Sequence, residues 1–396
     1  MTHRGAIPRG VWVLGGVSLC MDMSSELVHA LLPLYMATAL GASALVIGIV
    51  EGVAESLALV VKVFSGALSD WSRKRKPLVL AGYGIAALSK FVFPLVPSLG
   101  WVVGARFADR IGKGIRGAPR DALIADITPA EVRGRSFGLR QALDTVGAVI
   151  GPILALAGMA YFAGNFQAVL WIAVVPAVLC VLLIVFGVEE PARPAKPADK
   201  PRWRFADARR LPRAFWIVVG IAAILTLARF SEAFLLLRAQ GTPLGTEHAP
   251  LVMVVMALAY AMSAYPAGVA LDRGYGAALL ASGLAALVAA DLVLATSPTV
   301  FAAIAGSALW GLHMGLTQGL LAALVAATAP EDWRGTAFGV FNLACGVALL
   351  VASTLAGWLW DAYGPAFTFY AGAAFTVVAG IALAMRRRDV RIASAR

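Results

Sequence analysis

Charge is scarce in this sequence: Asp, Glu, Lys and Arg make up only 14% of its 396 residues, against 60% hydrophobic residues. Mean hydropathy is +0.81. A soluble domain carries roughly a quarter charged residues, so water is excluded as the main solvent. Acids are scarcer still, 22 against 33 bases, which leaves a formal charge of +11. A nucleic-acid partner would need those bases on one solvated face. Here they lie between apolar runs, so nucleic acid is excluded. Strand-length alternation is missing as well. The apolar runs reach about twenty residues or more, the length that crosses a bilayer at helical rise, which excludes a barrel. Cysteine is almost absent: Cys20, Cys180 and Cys345 are isolated in apolar runs, with no disulfide framework and no metal-ligand spacing. Met253, Met256, Met262 and Met314 lack a regular ligand spacing and read as packing. There is no phosphate-binding loop and no catalytic Ser, Cys and His grouping at one membrane depth. These absences argue against a pump that hydrolyses nucleotide and against an enzyme, and they predict neither a cofactor nor a resident metal.

What is present is a series of hydrophobic segments at residues 11–36, 44–69, 77–97, 99–125, 136–161, 166–187, 213–238, 249–271, 276–297, 299–327, 334–360 and 364–386. The first follows Arg4 and Arg9 in the manner of a leader. Asp22 and Glu26 interrupt it and no small-residue cleavage site follows, so it reads as an uncleaved span. The connections alternate. One set carries Arg73, Lys74, Arg75 and Lys76, then Arg133 and Arg135, then Arg334, then Arg386, Arg387 and Arg388; the other is nearly free of Lys and Arg. The positive-inside rule makes the basic set cytoplasmic, and an even span number puts both termini there, in a plasma (inner) membrane.

The longest connection, VEEPARPAKPADKPRWRFADARRLPR from Val188, is rich in Pro and charge and reads as a linker. The segments on either side of it repeat. GALSD from Gly66 returns as GVALD from Gly268 at an offset of 202, and TPAEVRGRSFG from Thr128 returns as APEDWRGTAFG from Ala329 at an offset of 201. Ser25-Glu26 against Ser231-Glu232 is a weaker third match. The expected fold is an all-α polytopic membrane protein of twelve transmembrane helices in two pseudo-repeated six-helix bundles, 1–187 and 213–396, with a linker over 188–212. Parallel repeats of this kind build a substrate cavity between them.

Three motifs carry a family resemblance that covers the whole chain. GALSDWSRKRK from Gly66 sets a small residue four before an Asp at a helix end, ahead of a basic cluster. RIGKGIRGA from Arg110 has an intramembrane Arg four before a Gly, and GAVIGP from Gly147 pairs two glycines ahead of Pro152. In these the sequence resembles the major facilitator superfamily of secondary transporters and its proton-antiporter branch. The second motif departs from the family pattern in having Lys113 and Arg116, and the first in having Trp71 and Arg73. Physically, Gly66 permits close helix contact, and Asp70 at a helix C-terminus needs a cation or another helix's N-terminus opposite it. The resemblance implies a cytoplasmic latch in which Asp70 meets the start of span eleven near Arg334, while Arg73 or Lys74 reaches Asp126. It also implies that Gly147, Gly151 and Pro152 form a helix-packing hinge.

The few charges inside the spans are therefore the functional candidates, since an ionisable group at bilayer depth is expensive and rarely faces lipid. Asp22 and Glu26 lie one turn apart, and Glu51, Glu55 and Lys62 share a stripe about 40° wide. Arg106, Asp109, Arg110, Lys113, Arg116 and Arg120 share an arc of about 120°. Lys90, Arg140 and Asp144 complete a set that can pair internally. Arg116, Arg120 and Asp121, nearer the cytoplasmic end, read as snorkelling or latch residues. The second half is poorer, with Arg229, Glu232, Arg238, Asp291 and His313. Arg229 and Glu232 sit three apart on one helix face, as an internal pair or a substrate contact. His313 reads as a satisfied core histidine, and His29, one turn past Glu26, has the better claim as a relay.

The expected function is secondary transport of a small molecule by alternating access: a monomer in the lipid bilayer that uses protons as coupling ion and exports a lipophilic or cationic compound. Asp22, Glu26, Glu51, Glu55, Lys62, Lys90, Arg106, Asp109, Arg110, Lys113, Asp144 and Glu232 are the expected cavity and coupling groups. Carriage of an anion, a metal or a metalloid stays open, as does a non-transporting receptor or scaffold on the same fold.

Overall fold

In a computed structural model the described residues are 6–72, 74–190, 211–329 and 334–385. They are helical almost throughout, and no strand occurs among them. The helices are α1 (Arg9–Thr38), α2 (Ala44–Ser72), α3 (Lys76–Leu95), α4 (Leu99–Ile127), α5 (Arg133–Tyr161), α6 (Phe166–Gly187), α7 (Arg213–Ala228), α8 (Ala233–Gln240), α9 (Gly245–His248), α10 (Leu251–Asp272), α11 (Gly276–Thr296), α12 (Val300–Thr328), α13 (Arg334–Tyr363) and α14 (Pro365–Met385). Among the described residues, eleven helical stretches are long and apolar enough to span a bilayer. The helix outside that set, α4, has the length, and its charges set it apart. Within lipid the backbone must satisfy itself, which is why Ala, Leu, Val and Gly runs become helices.

Side chains start two of the helices where the sequence signals it. Asn165 accepts a hydrogen bond from the Ala168 N–H at 3.1 Å, and Thr299 accepts one from the Ala302 N–H at 3.2 Å. The start of α3 is held from further away: Glu190 accepts from the Arg75 N–H at 2.6 Å and the Lys76 N–H at 2.9 Å, an anion on a helix N-terminus. Residues 191–210, most of the expected linker, lie outside the described residues, as do Arg386, Arg387 and Arg388.

One finding departs from the expected spans. The seventh is two helices, α7 and α8, separated at Arg229–Glu232. No Gly or Pro lies there to announce the break. A tertiary bond holds it: the Ser231 N–H donates to Ser353 Oγ on α13 at 3.1 Å, and the Ala233 N–H donates to Ser231 Oγ at 3.3 Å. Arg229 and Glu232 therefore do not share a helix face.

The chain forms two compact units, Met1–Leu32 with Leu57–Trp203, and Pro33–Ser56 with Arg204–Arg396. In the first, Val11, Leu14, Val17 and Met21 of α1 pack with Val79 and Tyr83 of α3, Leu123 of α4 and Cys180 of α6. In the second, Phe215 and Val219 of α7 pack with Val325 of α12 and Ala337 of α13. The N-terminal half of α2 is part of the second unit. Gly48 and Gly52 let its backbone close on Ser353 and Leu350 of α13, and Ser56 Oγ donates to the Gly346 carbonyl at 2.6 Å. Between helices in lipid, small residues and hydrogen bonds of this kind replace the hydrophobic drive.

Candidate functional site

The first unit holds two clusters of buried charge. The first lies between α3 and α4. Lys90 Nζ is 2.7 Å from Asp109 Oδ1, with side-chain exposures of 0% and 1%. Arg110 closes on the other oxygen through Nε at 2.9 Å and Nη2 at 2.5 Å, and Arg106 Nη1 stands 3.9 Å from it. Arg106 Nη2 also meets His29 Nδ1 of α1 at 2.9 Å, so that histidine joins the cluster. Three bases converge on one carboxylate because 106, 109, 110 fall on one α4 face and Lys90 comes from the helix packed against it.

The second cluster joins α1, α4 and α5, and glycine makes it possible. A Cβ on Gly147 would run into the Leu19 carbonyl and one on Gly151 into Met23 O and Leu27 N, so only glycine lets α5 approach α1 this closely. The predicted hinge residues thus lie directly against Asp22 and Glu26, whose Cβ atoms would stand 3.2 and 2.8 Å from those added methyls. One turn away along α5, the Asp144 carboxyl stands within electrostatic reach of that of Asp22. Around the pair stand Arg116 (Nη2 to Asp22 Oδ1, 3.8 Å), Arg120 (Nη1 to Asp144 Oδ1, 3.7 Å) and Arg140 (Nη2 to Asp144 Oδ2, 3.2 Å).

Arg116 and Arg120 correct the sequence reading. They are not snorkelling: their exposures are 3% and 8%. Arg116 lies over the Tyr83 ring at 4.6 Å, while Arg120 reaches Ser18 Oγ at 3.1 Å and Tyr83 Oη at 3.4 Å. The missed signal is Gly82, whose absent side chain lets the α4 backbone at Arg116 settle against α3. Asp121 pairs with Arg120 Nε at 3.1 Å and is more exposed.

The remaining candidates divide. Lys62 and Lys113 are exposed to accessible space, and Glu26 is half-buried. Glu51, Glu55 and Glu232 belong to the second unit, with Glu51 fully buried. His313 Nδ1 donates to the Gly283 carbonyl at 2.8 Å, and Arg238 Nε donates to the Leu294 carbonyl at 2.8 Å. Of the latch residues, Gly66 faces Ala118 of α4, whose Cβ would stand 3.3 Å from an added methyl. Asp126 takes an ion pair from Arg75 Nε at 2.8 Å, two residues beyond Arg73 and next to Lys74. Arg73 and the side chains of Asp70 and Arg334 lie outside the described residues. No group of three or more His, Cys, Asp or Glu able to hold a metal ion occurs among the described residues.

Comparison with known proteins gives this arrangement its context. A family model described as Major Facilitator Superfamily matches residues 14–352 and 245–395. An uncharacterised MFS-type transporter of Methanocaldococcus jannaschii is 32% identical over 385 residues, 95% of this chain and 94% of that one. A class C tetracycline resistance protein of Escherichia coli is 32% identical over 182 residues, 39% of this chain and 44% of that one. Among solved structures, the nucleoside transporter NupG superposes with a TM-score of 0.79 at 14% identity, covering 95% of this chain and 99% of that one, a likeness of fold.

Proposed function

The chain belongs to the major facilitator superfamily, a multi-pass membrane transporter and not an enzyme, and from that premise we propose that it exports a lipophilic or cationic small molecule in exchange for protons. The observation that carries this reading is the Asp22 and Asp144 pair. Two carboxyls that interact this strongly share a proton more readily than they share two negative charges. The arginines around them, Arg116, Arg120 and Arg140, favour ionisation, as does Lys113 nearby. Each stands on a helix other than at least one of the acids, so a change in how α1, α4 and α5 pack changes which form wins. Such a device binds a proton in one conformer and releases it in the other.

Alternating access would move the halves 1–187 and 213–396 about the linker 188–212, with both termini cytoplasmic, as the positive-inside pattern supports. Asp126, Arg75 and the residues around Asp70 and Arg334 would close the cytoplasmic side. The partial likeness to a protein named for tetracycline resistance supports outward movement of a drug-like cargo. A second reading, carriage of an organic or inorganic anion, is favoured by the three bases gathered on Asp109.

Proteoliposomes with an imposed pH gradient test the first reading, with tetracycline and ethidium as probes. The wild-type protein is expected to concentrate a probe against its gradient, and Asp144→Asn and Asp22→Asn to lose at least tenfold of that accumulation. If neither probe moves with the gradient nor dissipates it, and both variants behave as wild type, proton-coupled export of such compounds is wrong.

A further inference from the structure

The second unit contains a buried carboxyl that the proposed mechanism does not use. Asp291 is the single charged residue of α11, its side chain is 0% exposed, and neither of its oxygens has a hydrogen-bond partner among the described residues. Its place can be derived from the internal repeat. In the first unit Gly82 of α3 backs onto Arg116 of α4; in the second, Gly283 of α11 backs onto Thr317 of α12. Both residues of the second pair lie 201 positions after those of the first, the offset that the sequence repeat gave. The two helix pairs therefore share one register.

By that register Asp291 stands where Lys90 stands, Trp310 where Asp109 stands, and Ser307 where Arg106 stands. The first unit fills this place with a base, its acid and a second base. The second unit keeps a polar pocket there with no cation among the described residues. Trp310 and Ser307 are each 0% exposed, and the indole Nε1 and the Ser307 Oγ, like the Asp291 oxygens, lack hydrogen-bond partners. Aromatic rings close the pocket: Phe230, at the break between α7 and α8, lies 5.2 Å from Trp310 and 5.6 Å from Phe369. Gly372 of α14 makes the room, since a Cβ there would stand 2.6 Å from Asp291 Oδ2 and 3.0 Å from Phe230 Cε1.

The neighbouring ionisable groups are committed elsewhere. On α12 the candidate is His313, which is bonded to Gly283. At the break, Arg229 and Glu232 lie within electrostatic reach of each other, and Arg238 is bonded to the Leu294 carbonyl. α14 carries no charged residue from Pro365 to Met385. An ionised carboxylate so enclosed is strongly disfavoured without a cation, and no described residue supplies one, so a cation from solution is required. A metal ion would want several oxygens, and the pocket offers one carboxylate and one hydroxyl. A proton needs only the carboxylate.

We propose that Asp291 is a proton-binding site of the second half, loaded in the conformer described here and set beside the break in span seven. It is separate from the Asp22 and Asp144 pair, so it stands or falls independently of that reading. Because α7 and α8 are held apart through Ser231 and Ser353, a shift of α13 would move Phe230 and open the carboxyl to water.

Infrared difference spectroscopy of the full chain in lipid nanodiscs, exchanged between H2O and D2O, reads a protonated carboxyl directly and requires no cargo. The expected result is a C=O band that Asp291→Asn removes and that Asp22→Asn and Asp144→Asn leave in place. Gly372→Ala, which presses a methyl onto Asp291 Oδ2, is expected to shift the same band; this variant carries the test if Asp291→Asn does not fold. A spectrum with no band lost in Asp291→Asn, or no shift in Gly372→Ala where that variant stands in, overturns the proposal.

Discussion

Lys90 and Asp109 form an ion pair at 2.7 Å in which neither side chain is more than 1% exposed, yet the two residues are not equally committed to it. Asp109 is also the acid for Arg110 and Arg106, whereas Lys90 pairs with Asp109 alone among the described carboxylates. Removing one member of a buried pair leaves an uncompensated charge, at a cost of about 3–5 kcal/mol. Asp109→Asn removes the carboxylate that three cations share and is expected to reach that range. Lys90→Met leaves the carboxylate with two arginines and is expected to cost clearly less. Thermal unfolding in a fixed detergent compares them, and the double variant should fall short of the sum. Equal losses for the two single variants would mean that Arg106 and Arg110 do not support Asp109.

The approach of α5 to α1 makes a contrast between glycines on one helix. Gly147→Ala and Gly151→Ala each place a methyl against main-chain atoms of α1, contacts that cannot yield by a rotamer change. Each is expected to destabilise by about 1–3 kcal/mol, the usual penalty for overpacking. Gly134 and Gly138 on α5 face open space, so alanine there should be neutral or stabilising by about 0.5–1 kcal/mol. Unfolding midpoints of the four variants check this. If Gly151→Ala also lowers gradient-driven transport more than it lowers stability, the separation of Asp22 from Asp144 is the cause.

Much of this was legible in the sequence for a simple reason. Helix positions follow from apolar run length, and bilayer thickness makes run length decisive. The acids were legible too, because Asp22, Asp109 and Asp144 are exceptional in such runs. Partners were harder. Arg116 looked terminal by position along α4, and only the packing of Gly82 against it shows that it faces the interior. Phe230 carried no signal at all, since its role depends on a break fixed by a residue more than a hundred positions away.

That break yields its own test. Ser353 is 0% exposed and its Oγ accepts the Ser231 N–H, which otherwise has no helical partner. Ser353→Ala removes the acceptor and leaves a buried donor. Hydrogen bonds within membrane proteins average about 0.6 kcal/mol by double-mutant cycle, with desolvated orphans costing about 1–3. A loss of about 1–2 kcal/mol is expected, together with faster amide exchange around 229–233. Unchanged exchange there would show that the interruption is set by the local sequence instead.

The start of α2 is held by a residue from the far end of α13. Asp361 accepts the Ala44 N–H through Oδ1 at 3.1 Å and the Leu45 N–H through Oδ2 at 2.9 Å, two first-turn donors that have no helical acceptor. The carboxylate also opposes the positive end of the helix dipole. It borders an open groove of about 420 Å³ lined by Ala37, Ile47, Leu237, Gln240 and Trp360. Because Gly48 and Gly52 pack tightly on α13 a few residues on, the cap and this small-residue contact must form or part together. Asp361→Ala loses both bonds and is expected to cost about 1 kcal/mol, while Asp361→Asn keeps one acceptor and loses the charge, costing about half as much. Cysteines at Ala37 and Gln240 carrying spin labels would follow the groove. Asp361→Ala should broaden or lengthen the distance distribution between them, Asp361→Asn less so, and an unchanged distribution in both would limit Asp361 to capping the helix.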